Sequence, residues 1–447
     1  MAPHPLSPRL SAALILIVLI ALVASAAEAA PAPEPAAVTT TAPAAPPKVD
    51  PAAALKEAET LFHQAEATEA DAATLFGKAV TSYQSALAAL DREKQRTDWV
   101  RAQVGLAAAL VSQAERTVGQ AAWDQLEEAK KAAGLALEVV QKDAELRMWA
   151  EAQHQLGRAL RSEGAFVSGA EGEKLRTDGI AALRAALTGH DAKRDALALA
   201  LIQADLGLAL FSDAQSRENE PARQMLIEAA AAFRASLATF TQAGHPREWG
   251  DSQNLLGHSL REQFLRAGSS GDVALLNAAI AAYEAALAVR PRASMPVAWL
   301  LIKNNIGTAK QLLASVKEGE ERSELLRQGY ASIGEALEVA TPEAYPQFWA
   351  PLRENQLGIL LDQGEKEKAT KAIVEILGVP PEMGAELEPS LLQILDKLPA
   401  ELQDDPSELI ARLREVLNRS MDPTLEDEHG APEGEAGAAP APPAGGG

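Results

Sequence analysis

A fifty-residue period runs through this chain and constrains its fold more than any other feature. Five of the six tryptophans lie on that period, and Leu199 takes the vacant place: Trp99, Trp149, Trp249, Trp299 and Trp349. A small residue keeps the same interval at Ala107, Gly157, Gly207, Gly257 and Gly307. A third series recurs at Tyr83, Ala133, Leu183, Phe233, Tyr283 and Ile333. Repeats of this length predict a stacked array of small structural units.

Each period carries the pattern of two helices. From Trp249 onward, apolar residues recur at the spacing of one helix face. A turn is predicted at 268–272, where Asp272 is suited to cap the next helix. The second apolar stripe includes Tyr283 and stops before Pro291. Sustained alternation with period two is absent from the sequence. We therefore predict an all-α fold of about six to seven helix pairs.

The landmarks resemble those of the tetratricopeptide repeat, which has Leu-Gly and an aromatic in its first helix, Ala and Phe in its second, and then Pro. They occur here at Leu256-Gly257, Leu260, Ala279, Tyr283 and Pro291. The resemblance covers residues 53–377 and implies a right-handed α-solenoid of stacked antiparallel helix pairs. The period is longer than the family's, which is about 34 residues. Counting between landmarks assigns roughly ten extra residues to the turn within each pair, and about six to the connection between pairs.

The periodic residues have a packing interpretation. A glycine in the first helix lets the second helix approach closely, where a side chain would hold the helices apart. The tryptophan lies seven residues before Leu256, two helical turns from the glycine. We expect it to fill the seam between consecutive repeats. The alternative is a tryptophan that stacks on a ligand.

The two ends of the chain differ from the array. Residues 1–26 have Arg9, an apolar run and small residues at Ala24 and Ala26, which is typical of a cleaved signal peptide of a bacterial protein. This predicts a periplasmic or secreted protein; the alternative is an anchor in the inner membrane that faces the periplasm. Residues 27–52 are a Pro/Ala-rich linker, 378–420 are predicted to form a helical cap or a separate docking module, and 421–447 an acidic, disordered tail.

Composition excludes several functions. A net charge of -21 argues against nucleic-acid binding and makes contact with an anionic membrane unfavourable. The chain has no cysteine, so a lipid-attached N-terminal cysteine and disulfides are excluded. Motifs of metalloproteases, P-loop enzymes and serine hydrolases are absent, and the seven histidines are scattered. We therefore expect no enzyme activity, no cofactor and no metal.

Polar stripes on the first helices are the candidate partner-binding groove, because first helices line the concave surface in the resembling family. The stripe of one repeat has three cationic or ionisable residues at i, i+4, i+7, at His154, Arg158 and Arg161. A second follows at Asn254, His258 and Arg261, and the next repeat adds Asn304. Between them the same positions are apolar and end at Phe211. A second interpretation stays open: these are ordinary solvated faces, with Phe211 packed into the next repeat.

These observations predict a non-enzymatic scaffold or adaptor of the bacterial cell envelope. Its partner would be a protein or peptide segment with acidic residues and an apolar anchor near Phe211. Two alternatives remain: a periplasmic peptide- or solute-binding protein, and a membrane-anchored regulatory subunit of an envelope complex.

The signal peptide gives the first testable prediction. Cleavage after either small-residue site should leave a mature chain that begins at Ala27 or Ala30. N-terminal sequencing of the protein from the envelope of its host checks this. An intact Met1 in the membrane pellet would contradict cleavage and favour the anchor.

Overall fold

The computed structural model describes residues 49–68, 71–268, 271–378, Leu391, Leu395 and 405–421. Those residues form helices and connections without a β-strand, as predicted. The helices are α1 Pro51–Ala67, α2 Ala72–Ala89, α3 Arg96–Ala114, α4 Gln120–Val139, α5 Leu146–Glu163, α6 Gly169–Leu187, α7 Ala196–Gln215, α8 Asn219–Leu237, α9 Pro246–Ala267, α10 Val273–Leu287, α11 Pro296–Ala314, α12 Gly319–Leu337, α13 Pro346–Gln363, α14 Lys366–Leu377 and α15 Pro406–Met421. The predicted signal peptide, nearly all of the linker and the acidic tail after Met421 lie outside the described residues.

The helices fall into two compact units that divide between Ile359 and Leu360. In the first unit, each first helix packs on the second helix of its pair, from α1 on α2 to α11 on α12, and each second helix packs on the next first helix. Consecutive first helices from α1 to α9 also touch. Because these contacts lead from each pair to the next along the chain, the arrangement is the predicted α-solenoid.

The second unit begins at Leu360 and contains α14 and α15. These two helices pack together, and Nη2 of Arg414 donates a hydrogen bond to the backbone oxygen of Ile376 at 3.5 Å. α14 ends at Leu377, and Gly378 follows in the left-handed region with φ 69°. The two compact units divide within α13, and the end of the repeat array at residue 377 stays a prediction. The role of 378–420 as a cap or docking module stays a prediction.

Close approach of the two helices in a pair depends on the periodic glycines. A Cβ at Gly257 would lie 2.6 Å from Cε1 of Tyr283, and one at Gly157 would lie 2.7 Å from Cγ of Leu183. Gly207 meets Phe233 in the same way. From Gly157 to Gly307, each periodic glycine therefore faces the residue twenty-six positions later across its pair. This confirms the packing interpretation of the glycines.

The extra residues of the long period are in the helices rather than in the turns. The turns within pairs span residues 115–119, 164–168, 216–218, 268–272 and 315–318. None of these turns has room for roughly ten added residues. The prediction of a long turn within each pair was therefore wrong: landmark spacing counts the residues between Gly257 and Tyr283, but does not show whether they extend the helices or the turn.

The connection between pairs is a turn that the period repeats. The N–H of Gln95 donates to the backbone oxygen of Asp91 at 2.9 Å, and the N–H of Asp195 donates to that of Asp191 at 2.8 Å. The same bond recurs one hundred residues on, from Met295 to Pro291. The same bond precedes Trp149, Trp249 and Trp349, from Glu145, His245 and Tyr345.

The periodic tryptophans are buried or half-buried, and three of them are covered by cations of their own chain. Each cation precedes its tryptophan by seven residues, in the pairs Arg92 and Trp99, Lys142 and Trp149, and Arg292 and Trp299. Distances to the ring centroids are 5.1, 4.4 and 5.2 Å respectively. Where Leu199 replaces tryptophan, Ala192 replaces the cation. The rings thus serve packing and cation–π contact within the chain.

Among the helices that the structure describes, α7 alone has the length and the apolar composition needed to cross a membrane. Less than half of its apolar window is buried. Buried core helices pass the same test, so the length and composition of α7 are weak evidence for a membrane span.

Replacement of one glycine by alanine tests the close approach. Gly257→Ala should lower the free energy of unfolding by about 1–3 kcal/mol, because the new methyl group overlaps the Tyr283 ring. The matched control is Gly134→Ala in α4, where a Cβ meets nothing within 4 Å. It should be neutral or stabilising by roughly 0.5–1 kcal/mol. Thermal melting compares the two. Equal melting temperatures would contradict the proposed contact.

Candidate functional site

A series of hydrogen bonds joins consecutive first helices at positions fifty-one residues apart. Nε2 of His154 on α5 lies 2.7 Å from Oδ2 of Asp205 on α7. Further along the unit, the amide of Asn305 donates to Asn254 at 3.2 Å, and that of Asn355 donates to Asn304 at 2.8 Å. Three residues of the predicted stripes, His154, Asn254 and Asn304, therefore bond to the neighbouring repeat.

The predicted arginines Arg158 and Arg161 converge on one carboxylate. Glu115, which directly follows α3, accepts from Nη2 of Arg161 at 2.7 Å and from Nη2 of Arg158 at 3.3 Å. Nε of Arg158 also lies 3.7 Å from Oδ2 of Asp205. We call these four residues, together with His154, the inner ionic network. It ties three successive first helices together, and its side chains remain partly exposed.

Charge balance within the inner ionic network shows in its pKa values. Burial alone would raise the pKa of Asp205, but the hydrogen bond from His154 and the positive charge of Arg158 lower it to about 2. Burial works against the charge of Arg158, yet Glu115, Asp205 and Glu66 raise its pKa above the usual value. Asp205 and Arg158 are therefore both ionised at neutral pH. The effect of Glu66 places the end of α1 near α5.

Most of the second stripe, and Phe211 on the preceding first helix, lie inside the protein. Phe211 is only 7% exposed and packs in the core with α8 and α10, and His258 is 2% exposed. Arg261 is also buried, and its Nη2 donates to Oε1 of Glu262 at 2.9 Å. Asn304 is buried as well. The expectation that Phe211, His258, Arg261 and Asn304 line an open groove is thus not met by their positions.

The reason for this burial is that α9 is enclosed on all sides. Every residue from Leu256 to Phe264 is buried. α9 packs against α7, α8 and α10, and Nη1 of Arg247 at its start donates to the backbone oxygen of Glu66 on α1 at 3.4 Å. Chain segments 181 residues apart therefore meet. A sequence stripe shows which residues share a helix face, but not how closely the neighbouring helices pack over that face.

His258 occupies an apolar site between two rings. Its ring centroid lies 6.1 Å from that of Phe211 and 5.3 Å from that of Tyr283. Burial, with the charge of Arg261, lowers the pKa of His258 to about 3. The imidazole is consequently neutral and bonds to Asn305 at 3.2 Å. This arrangement makes His258 a structural residue.

Four partners were missed in the sequence: Glu115, Asp205, Asn305 and Asn355. A signal for three of them existed, because polar residues occur together at positions fifty-one apart. In the apolar repeat, Ala204 is matched by Leu255 at that spacing. Within the part of the chain that the structure describes, no three His, Asp or Glu side chains form a group able to hold a metal ion.

Protonation of His258 gives a prediction on stability. The unfolded chain binds this proton near pH 6.5 and the folded chain only near pH 3, so stability falls as the pH falls through this window. Between pH 7 and pH 5 this group alone should cost about 2 kcal/mol. His258→Gln should lose less stability over that interval than the parent, as measured by denaturant unfolding at both pH values. Asp205 does not interfere, because its contribution is lost only below about pH 4. An identical loss in both proteins would contradict the buried neutral state.

Comparison with known proteins finds likeness in structure but not in sequence. No protein-family model matches the chain, and no curated protein matches it. Two structures of the nuclear import adaptor Nro1 of S. pombe, also described as a hypoxic regulator of sterol synthesis, are 15% identical. They cover 67% of this chain and 98% and 93% of their own, with TM-scores of 0.41 and 0.43. A circular tandem repeat protein is 16% identical and covers 83% of this chain and 94% of its own, with a TM-score of 0.30. At these values the likeness concerns helical build alone.

Proposed function

We propose that this chain is a non-enzymatic scaffold or adaptor of the bacterial cell envelope that binds a segment of a partner protein. The observation that carries this proposal is the inner ionic network, in which charged side chains of three successive repeats meet at a partly exposed place. Tandem helix pairs offer such extended composite surfaces, because each pair adds one more set of side chains.

Arg161 has hydrogen-bonding capacity to spare in this network. Among the contacts of the described residues, it donates from Nη2 to Glu115, whereas a guanidinium has five donors. Its side chain is 12% exposed. A partner carboxylate at this place would add a charge-assisted hydrogen bond without breaking the link to Glu115. This supports an acidic partner segment, as the sequence predicted.

The envelope location rests on the sequence of residues 1–26. A cleaved signal peptide would deliver the array to the periplasm or beyond, and the Pro/Ala-rich linker would then precede α1. In this proposal the acidic surface keeps the array in solution rather than on anionic lipid.

A pull-down with the mature chain from the envelope fraction of its host, read by mass spectrometry, tests this function. A specific partner should bind less tightly to Arg161→Gln by roughly fivefold at low salt, and its salt dependence should flatten. The matched control is Arg327→Gln, which removes an exposed arginine paired with Glu324 on α12. It should bind like the parent.

Circular dichroism and melting must show that Arg161→Gln folds. If no envelope protein is enriched on the parent chain, the scaffold proposal is wrong. It is also wrong if the chain retains only a small molecule that dialysis removes. If a partner binds both variants equally, the inner ionic network is not its site.

A further inference from the structure

α7 exposes two leucines on one face. Leu197 is 48% exposed and Leu201 is 40% exposed, although most large apolar residues of the first unit are buried. Residues four apart on a helix lie one turn apart on the same side, so the two leucines form a continuous apolar strip. The strip explains why α7 is so apolar while less than half of its apolar window is buried.

The repeat period supplies the comparison for this strip. The equivalent positions are polar in three other first helices, as Thr97 with Arg101, Arg147 with Glu151, and Arg247 with Asp251. On α11 they are Val297 and Leu301, which are half-buried and pack against a core cluster. In these five helices, an apolar and exposed pair therefore occurs on α7 alone. Core packing does not account for it.

Accessible charge beside the strip is mainly cationic. Lys193 and Arg194 lie in the connection just before α7, and the side chain of Arg194 is 71% exposed. Arg147 reaches the same end of the helix, where it lies 3.7 Å from the buried carboxylate of Asp195. Glu151, bonded to Arg147 at 3.1 Å, and Asp191, whose Oδ1 accepts two backbone N–H groups, are the nearby exposed carboxylates. This is a local cationic edge in a chain of net charge -21.

We propose that Leu197 and Leu201 are the apolar anchor site for a partner segment that has two apolar side chains one helical turn apart and acidic residues beside them. The inference rests on the proposed function and moves the anchor from buried Phe211 to the exposed end of the same helix. Apolar burial supplies the affinity, and the cations Arg147, Lys193 and Arg194 orient the segment.

Charge selects this occupant over two others. In a dimer formed through this face, the three cations of one copy would lie against the three cations of the other. Both copies also carry the same large negative charge. An anionic membrane would meet the cationic edge, but the net charge of the whole chain opposes its approach. A short acidic segment of another protein meets chiefly the charges beside the strip, because salt screens the more distant negative charges of the chain.

Selection of peptides from a random phage-displayed library on the mature chain tests the site. Enriched peptides should carry two apolar residues spaced three or four apart with Asp or Glu near them. Leu197→Thr with Leu201→Gln should weaken their binding by about 10- to 100-fold. The matched control is Ile227→Ser, which removes an exposed apolar residue of α8 and should leave binding unchanged. Arg147→Gln with Arg194→Gln should chiefly flatten the salt dependence.

The proposal is overturned if no peptide is enriched, if the enriched peptides are basic, or if they bind the double-leucine variant as tightly as the parent. It is also overturned if sedimentation shows a dimer of the parent that the leucine changes abolish, or if the same changes abolish flotation with phosphatidylglycerol vesicles. An envelope partner that binds the double-leucine variant normally would refute this anchor and leave the scaffold function standing. Peptide binding without any envelope partner would support the anchor site and refute the scaffold function.

Discussion

Contact between a glycine and a large apolar residue twenty-six positions later is the interaction on which the solenoid depends. It sets how closely α9 approaches α10 through Gly257 and Tyr283, and the same contact joins α5 to α6 and α7 to α8. Side-chain overlap at this point would separate the two helices and shift every later pair. The cations over Trp99, Trp149 and Trp299 act at the next level, because they cover the rings that fill the seams between pairs.

Tight packing of first helices has a polar consequence. α9 is surrounded by other helices, so its buried polar side chains need partners within the protein. Asn305 serves both Asn254 and His258, and Glu262 serves Arg261. Where α3, α5 and α7 meet, enclosure is incomplete and the charged residues form the inner ionic network instead. The same stripe position is therefore structural in one repeat and partly accessible in another.

Surface chemistry then differs between repeats whose cores are alike. The core registers are kept because each pair must fit its neighbours. From α3 to α9, position 201 and its equivalents are not part of the buried core, and they hold Arg101, Glu151, Leu201 and Asp251 in turn. A scaffold gains specificity at these positions, since contacts there change binding without changing the fold. The exposed leucines of α7 belong to this class, and the glycines opposite the aromatic series do not.

The sequence by itself determined the helical class, the fifty-residue period, the capping of α10 by Asp272 and the packing role of the glycines. These follow from local spacing, which helix geometry converts directly into faces and turns. Tertiary structure decided which faces are open. The stripes of α5 and α9 are alike in sequence, yet Arg158 is partly exposed while the equivalent His258 is in the core. The reason is that Phe211, Tyr283 and Asn305 of three other helices pack around His258, and the spacing along one helix does not encode how closely its neighbours approach.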